Sequence, residues 1–160
     1  MWVPADLRSG SEPALVPVAP HQTDVRVRFY ELDPYNHVNH SVYIQYFETA
    51  RIELLSEVGF GLDTLQKRGQ QLVVVGLRTR FLRTAGLGDV LTVESGMLNA
   101  GRVRTTWAQR ISLSADVVAT QLVDFATTDL AGRPVRTRSE LTEAMAPYTV
   151  DEHWLGKHTP

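Results

Sequence analysis

The sequence predicts an α+β domain in which a five-stranded antiparallel sheet is covered on one face by a single long helix. Three observations carry this. Alternating apolar and polar residues open the folded region, one long stretch then switches to a helical period, and four β-type segments follow, separated only by short turns. Successive strands on short turns specify a meander rather than a βαβ array. The 160 residues suffice for one domain with a hydrophobic core.

Taken in order, residues 1–22 are expected to be a flexible arm. Pro4, Pro13, Pro17 and Pro20 interrupt any apolar run, and Asp6 and Arg8 do not suit a signal peptide. The folded domain is expected over 23–136. From Asp24 to Glu31, Val25, Val27 and Phe29 alternate with Arg26, Arg28 and Tyr30, the pattern of a half-buried strand. Asp33-Pro34-Tyr35-Asn36 breaks it with turn formers. Asn39 is placed to cap a helix from His40 to Val58, where Tyr43, Phe47, Ala50, Leu54 and Val58 recur at three- and four-residue steps. Gly59 and Gly61 supply its stop. The remaining strands are expected over 72–82, 90–98, 102–113 and 117–128. Residues 137–160 form an extension, with a short helix expected from about Ser139 to Ala146 and ended by Pro147. One helix covers one sheet face, so the other face and the edges are expected to need a partner, most simply a second copy.

The bulk numbers exclude several chemistries. A formal charge of −2 gives no electrostatic case for nucleic acid or an anionic membrane as partner. The absence of cysteine removes a thiol nucleophile and cysteine-ligated metals, and it suits a cytoplasmic protein. No apolar run reaches the ~20 residues of a membrane span. His37 and His40 are three apart with no third ligand near in sequence, a weak metal signature, so neither metal nor cofactor is expected. Ser41 lacks the glycine context of a nucleophile elbow.

The chemistry is concentrated between Asp33 and Tyr43, where an acid, two imidazoles and two amides meet at a strand-to-helix junction. A helix start exposes unpaired N–H groups that stabilise an oxyanion, and a carboxylate one loop away activates water or attacks directly. That combination suits acyl transfer. Asp33-Pro34, His37-Val38-Asn39, Tyr43 and Tyr46-x-Glu48-x-Ala50-Arg51, with Phe81-Leu82-Arg83 and Leu87-Gly88-Asp89 further on, resemble the signature of the 4-hydroxybenzoyl-CoA thioesterase group of hotdog proteins. The resemblance covers roughly residues 24 to 130.

It implies a hotdog fold and hydrolysis of an acyl-CoA thioester, with an acyl carrier protein thioester as the alternative and a homodimer or homotetramer as the working form. Asp33 matches the family's catalytic carboxylate, as nucleophile or general base. The backbone N–H of His40 matches the donor that polarises the thioester carbonyl. Where many relatives have glycine, this chain has Asn36, which tolerates a left-handed backbone. Glu48 is the second candidate acid. His37 is read as either a support of the loop or a contact to substrate or water. Asn39 is read as the helix cap, and Tyr43 and Tyr46 as core or pocket wall. Glu48 and Arg51 are placed to pair on the helix. Arg83 is a candidate for the nucleotide phosphates of coenzyme A or, more plainly, part of a solvated strand face. A hotdog hydratase requires different acid–base spacing. A hydratase-type or non-catalytic acyl-CoA-binding hotdog protein is a further alternative; a regulator with an added DNA-binding domain is not expected, because the first 22 residues are too few to build one.

Overall fold

The computed structural model describes residues 20–160. Of the arm expected over 1–22, residues 1–19 lie outside the described part, and the first strand begins at His21. The five strands are β1 (His21–Arg26), β2 (Gln71–Phe81), β3 (Val90–Ala100), β4 (Arg104–Leu113) and β5 (Asp116–Thr128). They form one antiparallel sheet in the order β1-β3-β4-β5-β2. The helices are α1 (His40–Glu57), α2 (Leu62–Lys67) and α3 (Ser139–Met145).

The first strand is displaced from its expected bounds. Its ladder ends where Arg26 meets Val90, the first residue of β3, so residues beyond it have no strand to pair with. Phe29–Glu31 closes instead into a 3-10 turn, and Phe29, expected to face the core, is 75% exposed. The connector after α1 carries α2, which its length concealed.

Helix α1 lies on one sheet face because its buried stripe is Val42, Tyr43, Tyr46, Phe47, Ala50, Arg51, Leu54 and Leu55, the spacing of one helical face. Its N-terminal half packs on Leu91, Val93, Ile111 and Val118. Its C-terminal half packs on Trp107, Val123 and Phe125, joined by Leu141 and Met145 of α3. Arg51 breaks the apolar stripe. It is buried and donates to the Gln109 and Gln121 side chains at 2.7 and 2.9 Å, rather than pairing with the exposed Glu48.

The opposite face is covered in part by the chain itself, which corrects the expectation that only a partner would cover it. Ala108 and Leu122 there meet Leu155, with Val150 and Trp154 alongside. The Arg110 guanidinium lies 4.7 Å over the Trp154 ring, and Thr120 donates to the His158 carbonyl at 2.6 Å. Gly96 makes the crossing possible: a methyl group on its Cα would lie 2.5 Å from Val150 Cγ1 and 3.0 Å from the Tyr148 carbonyl oxygen. The sheet ends in two edge strands, β1 and β2; among the described residues nothing pairs with the outer side of β2, an 11-residue strand whose Val73, Val74, Val75, Leu77 and Phe81 are 40–50% exposed. Among the described residues no helix is long and apolar enough to cross a membrane.

Candidate active site

The segment from Glu31 to Asn39 is a miniature hairpin leading into α1. Leu32 and Val38 form its bridge, the Asp33 N–H donates to the His37 carbonyl at 2.7 Å, and the Asn36 N–H returns to the Asp33 carbonyl at 3.0 Å. Asn36 sits at the turn with φ 62, the left-handed conformation anticipated for it. The Asp33 carboxylate is half-buried and spends one oxygen on the loop. Its Oδ1 accepts from the N–H groups of Tyr35 at 2.8 Å and His37 at 3.1 Å. Among the described residues Oδ2 has no partner, so the carboxylate is held in one orientation with one oxygen uncommitted.

The helix start is built to the same end. Asn39 caps α1, its Oδ1 accepting from the Ser41 N–H at 3.0 Å and the Ser41 hydroxyl at 2.9 Å. Its carbonyl takes the Val42 N–H at 2.9 Å. The His40 N–H, first in the helix, has no acceptor among the described residues. It is the orphan donor that a helix start offers to an anion.

Aromatic rings flank this end of the helix. The Phe81 ring lies 6.3 Å from that of His40 and 5.8 Å from that of Tyr43. The Tyr43 hydroxyl accepts from the Ala85 N–H at 3.1 Å, and Ala85 in turn accepts from the Val38 N–H at 2.9 Å. Burial chiefly pushes the Tyr43 phenol up, and the carboxylates of Asp89 and Asp33 add to it. Tyr46 donates to Glu31 at 2.5 Å; burial first, and this bond second, hold it well above the usual tyrosine range. Tyr43 and Tyr46 are therefore anchored core residues that tie the hairpin to α1 and to the segment after β2.

The remaining expected residues stand further out. The His37 imidazole is exposed, and it is the His37 backbone that touches Asp33. Glu48 is exposed on α1. Arg83 pairs with Asp116 at 3.4 Å, both side chains about 60% exposed, at the rim of an open depression that Thr84, Leu113 and Val118 also line. Sequence reasoning passed over Glu31, whose buried carboxylate also accepts from the Arg28 N–H at 2.7 Å and the Arg28 guanidinium at 3.2 Å. It also passed over Gln109 and Gln121, although polar residues at inward-facing strand positions were visible.

The chain is similar to proteins of known kinship. A model of the thioesterase-like superfamily matches residues 27–147, more than half of the chain. A long-chain acyl-CoA thioesterase of Escherichia coli is 33% identical over 111 residues, covering 68% of this chain and 83% of that protein. A chloroplastic acyl-acyl carrier protein thioesterase of Arabidopsis thaliana is 33% identical over 91 residues, but the chain spans only 45% of its length. Among solved structures, a probable thioesterase from Escherichia coli superposes with a TM-score of 0.71 at 30% identity, covering 80% of this chain and 98% of that one. A hypothetical protein from Aquifex aeolicus superposes with a TM-score of 0.75 at 26% identity, covering 79% and 99%. With this strand order, one long helix against the sheet and the junction motif in place, the chain belongs to the thioesterase-like superfamily and has its hotdog fold.

Proposed function

We propose that the chain hydrolyses acyl-CoA thioesters, with Asp33 as the catalytic carboxylate and the His40 N–H as the oxyanion donor. The observation that carries this reading is the pairing of a carboxylate held by two backbone N–H groups with an unpartnered amide at the adjacent helix start. Asp33 takes a proton from water, the water oxygen bonds to the thioester carbon, and the oxyanion accepts from the His40 amide. The carbon–sulfur bond then breaks, and the departing sulfur receives the proton. Direct attack by Asp33, with water hydrolysing the resulting anhydride, uses the same groups. Asn39 serves by fixing the helix start, His37 by lending its amide to Asp33, and Tyr43 and Tyr46 by walling the site. Arg83 is proposed to meet the phosphates of coenzyme A, exchanging a weak exposed partner for a stronger anion. Glu48 is the reserve acid.

A homodimer through β2 belongs to this reading. A long apolar edge strand is a template for a second strand, and the Phe81 end of β2 borders the candidate site. The carrier-protein alternative is favoured by the Arabidopsis relative. Release of free thiol from a panel of short, long and aromatic acyl-CoA thioesters tests the proposal. Turnover with at least one class is expected. A panel that stays inert while acyl carrier protein thioesters turn over, with a steep loss in salt, would replace coenzyme A by a protein carrier.

A further inference from the structure

The buried polar cluster beneath α1 fixes the direction of a chain of hydrogen bonds that ends on the open edge strand. Arg51 is a donor only, so the two oxygens it reaches must be the amide oxygens of Gln109 and Gln121. With Oε1 of Gln121 committed to Arg51, its Nε2 faces Thr79 and donates to the hydroxyl oxygen at 3.0 Å. With Oε1 of Gln109 likewise committed, its Nε2 donates to the Phe47 carbonyl and the Ser95 hydroxyl at 2.9 and 2.7 Å. The Thr79 oxygen is thus an acceptor toward the interior, and its own proton is left to donate. Among the described residues it has no acceptor.

Thr79 is also well placed. It alternates along β2 with Leu77 and Phe81, so the three share one sheet face, and the cross-strand partner of Thr79 is Gln121. Thr79 is half-buried, whereas Leu77 and Phe81 are 43% and 48% exposed. Phe81 meets the His40 and Tyr43 rings at the helix start. Phe81 lies two positions beyond Thr79 along the strand, a step of about 7 Å. Leu77 and Phe81 therefore give an apolar strip leading away from the candidate oxyanion donor, interrupted once by a hydroxyl whose proton has no acceptor among the described residues. The positive charge of Arg51, two bonds back in the chain, polarises that donor in a low-dielectric setting.

We infer that Thr79 is a specificity-determining residue that donates to a keto or hydroxyl oxygen on the acyl group, several bonds beyond the thioester carbonyl. The inference rests on the reading that the protein hydrolyses acyl thioesters with the acyl group laid along this face. It predicts a preference for oxygen-bearing acyl groups over plain ones of equal size.

The test compares matched acyl-CoA pairs that differ only in one oxygen: decanoyl-CoA against its hydroxy and oxo derivatives, and benzoyl-CoA against its para-hydroxy derivative. Wild type, Thr79→Val and Thr79→Ser are assayed by thiol release. Valine keeps the branched shape suited to a strand, and unfolding midpoints establish that the variants fold. The expected result is a wild-type preference in kcat/KM for an oxygen-bearing member by about threefold to tenfold, the worth of one hydrogen bond. Thr79→Val should lose the preference with turnover of the plain partner kept, and Thr79→Ser should retain it. Equal turnover of both members by wild type, or a preference that survives Thr79→Val, overturns the assignment while leaving the hydrolase reading intact. A change in dimer dissociation with selectivity unmoved gives the hydroxyl to the second copy and also overturns it. If wild type cleaves neither member of any pair, the acyl-CoA hydrolase reading falls, and this inference with it.

Discussion

Replacing Tyr46 by Phe should destabilise the protein by about 2 kcal/mol, because it withdraws one of three donors from a buried carboxylate. Glu31 is 8% exposed and is satisfied by the Tyr46 hydroxyl, the Arg28 N–H and the Arg28 guanidinium. The guanidinium bond is the longest of the three and belongs to an exposed side chain, so it cannot make good the loss. A hydrogen bond to a charged group contributes roughly 1.5–3 kcal/mol, and phenylalanine leaves almost no void. For a domain of this size the change corresponds to a fall in Tm of about 4–8 °C. Urea unfolding of wild type, Tyr46→Phe, Glu31→Gln and the double variant should give a coupling energy of about 1–2 kcal/mol between the two side chains. The same contact ties the candidate-site hairpin to α1, since the Glu31 carbonyl accepts the Asn39 N–H at 2.9 Å. Hence kcat should fall along with stability. A stability change below about 0.5 kcal/mol, or additive single variants, would show that the Tyr46 hydroxyl does not stabilise the Glu31 carboxylate.

The same pair sets an alkaline limit. Tyr46 is raised in the folded state, so its contribution is fully present below the ordinary tyrosine value of about 10 and is lost as pH climbs above it toward the folded value. Stability measured from pH 9 upward should fall, and Tyr46→Phe should flatten part of that slope. Asn39→Ala removes the cap on α1 and should cost about 1 kcal/mol in urea unfolding. Its loss in kcat should exceed what stability accounts for, because the His40 amide loses its aim. Gly96→Ala should destabilise by about 1–3 kcal/mol through overpacking against Val150 and the Tyr148 carbonyl, read as a lower urea midpoint. Val75→Lys on the open edge of β2 should convert the proposed dimer to monomer by light scattering and abolish turnover; an active monomer would separate the site from the interface.

Much of the fold was legible because its signals are local. The α1 stripe is written in the spacing of Tyr43, Phe47, Ala50 and Leu54, and Asn36 and Asn39 occupy the turn and the cap for reasons confined to their own backbone. What escaped depends on contacts distant in sequence. The alternation through Val25, Val27 and Phe29 runs past Arg26, but a strand persists only while it has a neighbour, and β3 begins at Arg26's partner. Glu31 reads as a loop carboxylate, and only Tyr46, fifteen residues on, makes it an interior one. Arg51 sits three residues from Glu48, a spacing that invites an ion pair. Its place on the Phe47–Ala50–Leu54 face sends it inward instead, to two glutamines more than fifty residues away. The covering of the outer face by Val150, Trp154 and Leu155 was hidden because those few apolar residues have no period to reveal them.

On the proposed mechanism the Asp33 carboxylate performs the chemistry beside the His40 amide. Asp33→Asn keeps the size of the side chain and the Oδ1 that accepts from Tyr35 and His37, so folding should be unchanged by circular dichroism and urea midpoint. Thiol release from the best acyl-CoA substrate should then fall by about a hundredfold or more. Undiminished turnover by a folded Asp33→Asn protein would show that Asp33 is not the catalytic carboxylate and would leave Glu48 as the candidate acid.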